Sequence, residues 1–174
     1  IANPDNRGFA AANNQAFRIM EGRYALLLNT DAVLTEGAVE ALFRFLEGMA
    51  VEGAKTAKAY YNAPGWVAYH TQNAWYETSP SHLPASAGPT CGAWLVQHLW
   101  THYQFTQDRE FLRKFYPLLR GAAEFCAAVL VEDPKTGALV TVPSSSPENS
   151  FAFKDPAGNR KVAWLCAGST YDMQ

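Results

Sequence analysis

Between residues 93 and 131 apolar side chains recur at helical spacing almost continuously, and that stretch limits the fold more than any other feature. Over 93–105 the recurring positions are Trp94, Leu95, His98, Leu99, His102 and Tyr103. The pattern continues over 108–115 and resumes after Pro117 as far as Val131, so three successive helices are expected. Helices with apolar stripes must bury them against one another, which points to helix-on-helix packing. A turn at Glu132-Asp133-Pro134-Lys135-Thr136-Gly137, a short strand-like run over 139–142 and a stiff polar loop over 143–147 follow.

The stretch before it has a different texture. Asn3-Pro4-Asp5-Asn6-Arg7-Gly8 is turn-rich, 9–21 reads as an Ala-rich helix, and Gly22 is placed to stop it. Tyr24 opens a short apolar strand that ends at Asn29-Thr30-Asp31, and a helix is expected from Thr35-Glu36-Gly37 to about Leu46. That strand–loop–helix order is α/β in character. After Gly48 come a helical pattern over 54–61, a turn at Asn62-Ala63-Pro64-Gly65, and a long loop over 76–92 holding three Pro, three Ser and two Gly.

Composition excludes several classes. Of the 174 residues 48% are hydrophobic and 17% charged, enough apolar material for a core. The net charge is −2 with no basic block, which argues against nucleic-acid binding. Aliphatic runs such as Ala25-Leu26-Leu27-Leu28 are far shorter than the ~20 residues a membrane span needs. Cys91, Cys126 and Cys166 are an odd, widely spaced set, so neither a disulfide scaffold nor a structural zinc site is expected. The chain opens on Ile1 and closes on Asp172-Met173-Gln174, and a fragment of a longer protein is the expectation.

Four groups of residues could carry chemistry. Asp31, just past an apolar strand, is placed either to cap a turn or to bind Mg²⁺ or Mn²⁺. His98 and His102 share a helix face, but without a third ligand they read as hydrogen-bonded core residues. Trp66, His70, Asn73 and Trp75 could stack and hydrogen-bond a sugar, or the aromatics could be core. In Pro143-Ser144-Ser145-Ser146-Pro147-Glu148-Asn149 two prolines stiffen a loop that offers one carboxyl, with Asn149 beside it as a candidate substrate contact. Glu148 can cap a helix or, if desolvated, act as a general acid. Asp133, Asp155 and Asp172 are the nearby carboxylates that could activate water, and spacing selects none of them.

Two resemblances bear on these groups. Asn3-Pro4-Asp5-Asn6-Arg7-Gly8-Phe9-Ala10, Asn13-Asn14-Gln15, Leu26-Leu27-Leu28-Asn29-Thr30-Asp31 and Gly37-Ala38 resemble a family 2 glycosyltransferase of the rhamnosyltransferase-like branch, over about 1–47. That resemblance puts Asp31 in the metal- and nucleotide-sugar-binding segment of a GT-A fold, with Mg²⁺ or Mn²⁺ as cofactor. The nucleotide-binding strand and catalytic-base region of such an enzyme are missing from it.

From about residue 50 onward the chain resembles glycoside hydrolase family 95. The motifs are Gly65-Trp66-Val67-Ala68-Tyr69-His70-Thr71-Gln72-Asn73-Ala74-Trp75, Gly92-Ala93-Trp94-Leu95, His98-Leu99-Trp100, Phe105-Thr106-Gln107-Asp108, Tyr116-Pro117-Leu118-Leu119, Leu130-Val131-Glu132-Asp133-Pro134, the loop from Pro143 to Asn149, and Asp172-Met173-Gln174. The family consists mainly of inverting 1,2-α-L-fucosidases, with α-L-galactosidases among them, on an (α/α)6 barrel. The resemblance makes Glu148 the general acid and puts His70 and Trp75 in the sugar site. No cofactor is implied, and the family's water-activating asparagine pair and aspartate lie outside the match. Tyr69 stands where a second His is usual, and Ser169 and Tyr171 also depart from the family pattern.

The resulting expectation is a composite joined near Gly48. Its fold class is mainly α: a partial (α/α)6 barrel over 48–174, preceded by a short α/β, GT-A-like segment over 1–47. The expected function is a carbohydrate-active fragment of inverting α-L-fucosidase type, inactive alone, acting on fucosylated oligosaccharides or plant or host glycans. The alternatives are a glycosyltransferase fragment using a nucleotide sugar and a non-catalytic carbohydrate-binding helical remnant. The hydrolase resemblance implies a periplasmic or extracellular setting, and the transferase resemblance a cytoplasmic one.

Overall fold

A computed structural model describes residues 5, 9–22, 35–80, 87–146 and 149–169. The expected strand after Tyr24, Asp31, Glu148 and Asp172 lie outside the described residues. The chain divides into two compact units, Ile1–Glu36 and Gly37–Gln174. In the first, α1 spans Phe9–Ile19, close to the expected helix, and Met20 N–H still donates to Ala16 O at 3.1 Å.

The second unit opens with α2, Ala38–Thr56, which runs on into a π-helical turn, Ala57–Tyr61. The unit boundary therefore precedes the join expected near Gly48, and α2 passes through Gly48 unbroken. Glycine inside a helix costs about 1 kcal/mol relative to alanine, which is why the sequence pattern reads as interrupted there. The structure gives the missing side chain a use: a Cβ on Gly48 would stand 2.5 Å from the Tyr76 ring. The left-handed Asn62 (φ 49°) then closes the π turn.

Helices α3 (Cys91–Thr106) and α4 (Arg109–Val129) form a hairpin joined by two residues. Gln107 takes the left-handed conformation at the end of α3. Asp108 caps α4, its carboxylate accepting Glu110 N–H at 2.9 Å and Phe111 N–H at 3.0 Å. Two helices were expected where α4 is one, because Pro117 lacks an N–H. The helix continues through it: Phe115, Ala122 and Phe125 are buried along α4, and that burial offsets the lost hydrogen bond.

Phe43 of α2, His102 of α3 and Phe111 and Phe115 of α4 meet in one aromatic cluster, with His102 and Phe111 ring centroids 4.1 Å apart. On α3 the buried stripe is Cys91, Gly92, Val96 and Leu99. Trp94 and Trp100 are exposed, and so is His98, which contradicts its reading as a core residue. Nearly every face of α3 is apolar, so the pattern alone could not say which stripe its neighbours would cover.

The organising element is not a helix. Residues Trp66, Val67, Ala68 and Tyr69 form an extended strip, all buried, threaded between α2, α3 and α4. Side chains alternate along extended backbone. Trp66 and Ala68 enter a core with Leu46, Met49, Leu99 and Phe115, while Val67 and Tyr69 enter a second with Ala57, Ala63 and Phe125. Each helix meets the strip at a glycine. Val67 N–H donates to Gly53 O (3.2 Å), Trp66 N–H to Gly121 O (3.3 Å), and Gly92 N–H to Ala68 O (3.2 Å).

After α4 come two antiparallel hairpins. Strands β1 (Leu130–Glu132) and β2 (Leu139–Thr141) pair with Val131 opposite Val140. Strands β3 (Phe151–Lys154) and β4 (Arg160–Ala163) pair with Phe151 opposite Ala163. Ser144 and Cys166 exchange backbone hydrogen bonds of 2.9 and 2.8 Å, tying the polar loop to the end of the second hairpin. Helix accounts for about half of the described residues, in keeping with a mainly α chain.

Candidate functional site

The strip leads directly into His70, Asn73 and Trp75. His70 is exposed immediately after buried Tyr69. Asn73 organises the turn that follows: its Oδ1 accepts Trp75 N–H (3.0 Å) and Glu77 N–H (3.3 Å), and its Nδ2 donates to Glu77 Oε2 (2.8 Å). Both ends of that amide take part in the turn that presents Trp75. The two tryptophans separate cleanly. Trp66 is 3% exposed, and its Nε1–H donates to Leu118 O at 2.9 Å; Trp75 is 83% exposed. Trp66 is core and Trp75 stands at the surface.

Behind His70, the Tyr69 and Tyr61 hydroxyls are hydrogen-bonded to each other. Burial pushes the Tyr69 phenol far above its usual range, reinforced by the Tyr61 contact, and burial raises Tyr61 as well. Both stay neutral, and the strip under His70 is anchored without charge.

Asn149 stands on a different segment. Its N–H donates to Ser146 O at 3.1 Å and its Nδ2 to Ser146 Oγ at 3.3 Å. Pro147 and Glu148, the two residues between them, lie outside the described set. A cleft of about 370 Å³ opens here, lined by Ser146, Asn149, Phe151, Trp164, Cys166 and Ser169. Ser169 is only 6% exposed, and its Oγ has no hydrogen-bond partner among the described residues. Leaving a buried hydroxyl unpaired costs about 1–3 kcal/mol. The Asn149 segment and the loop before α3 are in close contact, since a Cβ on Gly88 would stand 2.9 Å from Ser145 O.

Of the three carboxylates near Glu148 in sequence, two are turn builders. Asp133 accepts Thr136 Oγ1–H at 2.6 Å and Lys135 N–H at 3.3 Å, and the Thr136 bond foremost lowers its pKa, which makes it a poorer base. Asp155 accepts Ala157 and Asn159 N–H at 3.0 and 2.9 Å. Among the described residues no three His, Cys, Asp or Glu side chains gather as a metal site. His98 lies edge-on to Trp94, with ring centroids 5.2 Å apart.

The glycosyl hydrolase family 95 catalytic domain matches residues 30–174, a span that includes the Trp75 turn, the α3–α4 hairpin and the Asn149 cleft. The chain belongs to glycosyl hydrolase family 95. It is 42% identical over 137 residues to Alpha-L-fucosidase 2 of Arabidopsis thaliana, covering 77% of this chain and 16% of that protein. It is 37% identical over 102 residues to Probable alpha-fucosidase A of Aspergillus niger, covering 56% of this chain and 13% of the relative. The chain thus spans about a sixth or less of the length of these relatives.

The family 95 match begins well before the join expected near Gly48, within the stretch read as glycosyltransferase-like. Neither the transferase resemblance nor the composite gains support from these similarities. Sequence reasoning passed over Phe151 and Trp164, which line one cleft in the folded chain although they stand thirteen positions apart in sequence. Ser169 carried a signal as a departure from the family pattern, though not one that revealed its buried, unpartnered hydroxyl.

Proposed function

We propose that this chain is part of the catalytic region of an inverting α-L-fucosidase-type hydrolase acting on fucosylated glycans. The observation that carries the reading is the extent of the family match, which takes in both the Trp75 turn and the Pro143-to-Asn149 loop. The name of the Arabidopsis relative supplies the sugar. In this reading α3 and α4 are one helical hairpin of an (α/α)6 barrel, and Trp75 offers its indole face to fucose beside His70. Glu148 protonates the glycosidic oxygen as the bond to the fucose anomeric carbon breaks, and water attacks that carbon from the opposite face. Asp133 and Asp155 are committed to turns, and the family resemblance places the water-activating asparagine pair and aspartate outside these 174 residues. The 174 residues alone therefore release no fucose, because the acid works without its partner.

Inversion predicts that cleavage of an α-L-fucoside first yields β-L-fucose. The test is proton NMR of the protein, expressed as its gene encodes it, acting on 2'-fucosyllactose. α-L-Fucose as first product refutes inversion, and no release from any fucosylated glycan refutes the fucosidase reading.

A further inference from the structure

We infer that the cleft beside Asn149 holds the leaving-group sugar, the residue from which fucose is cut, with Phe151 and Trp164 as its stacking wall. The inference rests on the fucosidase reading and adds to it the residues that recognise the second sugar. Its basis is the lining of one cleft. Phe151, the first residue of β3, and Trp164, just past the end of β4, are both half-exposed and both line the same opening. Ser146, Asn149 and Ser169 line it as well, and no charged side chain is among the described residues that do so. Aromatic faces over neutral hydroxyl and amide groups suit an uncharged pyranose, whose C–H face stacks while its rim hydrogen-bonds.

Ser169 is the second, independent observation. Its backbone N–H donates to Ser144 Oγ at 3.3 Å, which fixes the main chain, yet its own hydroxyl bonds to none of the described residues. No hydrogen bond holds that hydroxyl in its present rotamer, so turning about χ1 toward the cleft forfeits none. A sugar hydroxyl there supplies the missing partner.

Position in the chain assigns the cleft to the leaving side. Ser146 and Asn149, both in the lining, bracket Glu148 in sequence. The acid's proton ends on the glycosidic oxygen, which keeps the electron pair of the broken bond and departs as a hydroxyl of the second sugar. Water supplies the new hydroxyl on fucose and gives its proton to the base. Groups adjoining the acid in the chain are therefore placed to meet the sugar that departs with that oxygen.

The experiment compares Trp164→Ala, Trp164→Phe and Ser169→Ala in the protein as its gene encodes it, on 2'-fucosyllactose and on α-L-fucosyl fluoride, which carries no second sugar. Trp164→Ala should lower kcat/KM for the glycan by about tenfold or more, and the fluoride value by far less, with partial recovery in Trp164→Phe. Ser169→Ala should give a smaller loss of the same kind. Lactose should inhibit fluoride hydrolysis in the parent protein and much more weakly in Trp164→Ala. Equal losses on both substrates, or none on either, overturn the inference. If the parent hydrolyses neither substrate, the fucosidase reading has failed, and NMR titration with lactose decides the cleft by itself. Binding that Trp164→Ala abolishes supports it, and absence of binding overturns it.

Discussion

Gly53 and Val67 meet backbone to backbone: Val67 N–H donates to Gly53 O at 3.2 Å, and a methyl group on Gly53 would stand 2.5 Å from Val67 O. No side-chain rotation relieves that clash. Gly53→Ala should therefore cost about 3 kcal/mol or more, at the top of the range for overpacked sites. Gly158→Ala is the comparison, because its Cβ meets nothing within 4 Å and only its φ of +86° is unfavourable. A loss of about 1 kcal/mol is expected there. Urea denaturation of both variants checks the difference.

Asp108→Ala removes the acceptor for two N–H groups at the start of α4. A loss of about 1 kcal/mol is expected, and Asp108→Asn should recover most of it, since its amide oxygen also caps. Thermal melting of the pair separates the capping role from charge.

Trp75→Ala should leave stability nearly unchanged, because the side chain is 83% exposed. If it is the fucose platform, KM for fucosyl substrates should rise about tenfold with a smaller change in kcat. Steady-state kinetics alongside a melting curve tests both halves.

Glu148→Gln keeps the side-chain shape and removes the transferable proton. On a natural fucosyl glycan kcat should fall about 10²–10⁴-fold while binding persists. Fucosyl fluoride should be hydrolysed much closer to the parent rate, since fluoride needs little protonation. Near-full activity of this variant on the glycan would make Glu148 a structural residue.

The Tyr61–Tyr69 pair predicts an alkaline limit. Both phenols titrate above their ordinary 10.0 when folded, so the folded state holds protons that the unfolded state releases. Their contribution is complete below pH 10 and shrinks as pH rises further, by at most about 1.4 kcal/mol per pH unit for each group. Urea midpoints from pH 8 to 11 should fall steeply at the alkaline end. In Tyr69→Phe, which removes one of these protons, the fall should be shallower.

What the sequence disclosed depended on whether a residue's role was local. The helical run after residue 93, the turn at Asp133 and the strand near Val140 follow from neighbours within a few positions, and they appear near where the pattern put them. Gly48 and Pro117 misled for the same reason. Their local cost is real, but what outweighs it is tertiary: the Tyr76 ring over one, and the buried stripe of α4 at the other. Trp66 and Trp75 looked alike in sequence, and only the depth of the strip distinguishes the buried indole from the exposed one. The family motif around His70 was recognisable from its residues. The shared cleft was not, because Phe151 and Trp164 are far apart in sequence and line one opening only in the folded chain.

The alternation along Trp66–Tyr69 makes that strip a ruler. Each residue answers to one of two cores, so inserting or deleting a single residue there would exchange the occupants of both at once. Substitution can be absorbed one side chain at a time; a change of length cannot. The strip thus tolerates drift in chemistry far better than drift in count, and it fixes how far along the chain His70 and Trp75 emerge from the helices that hold them.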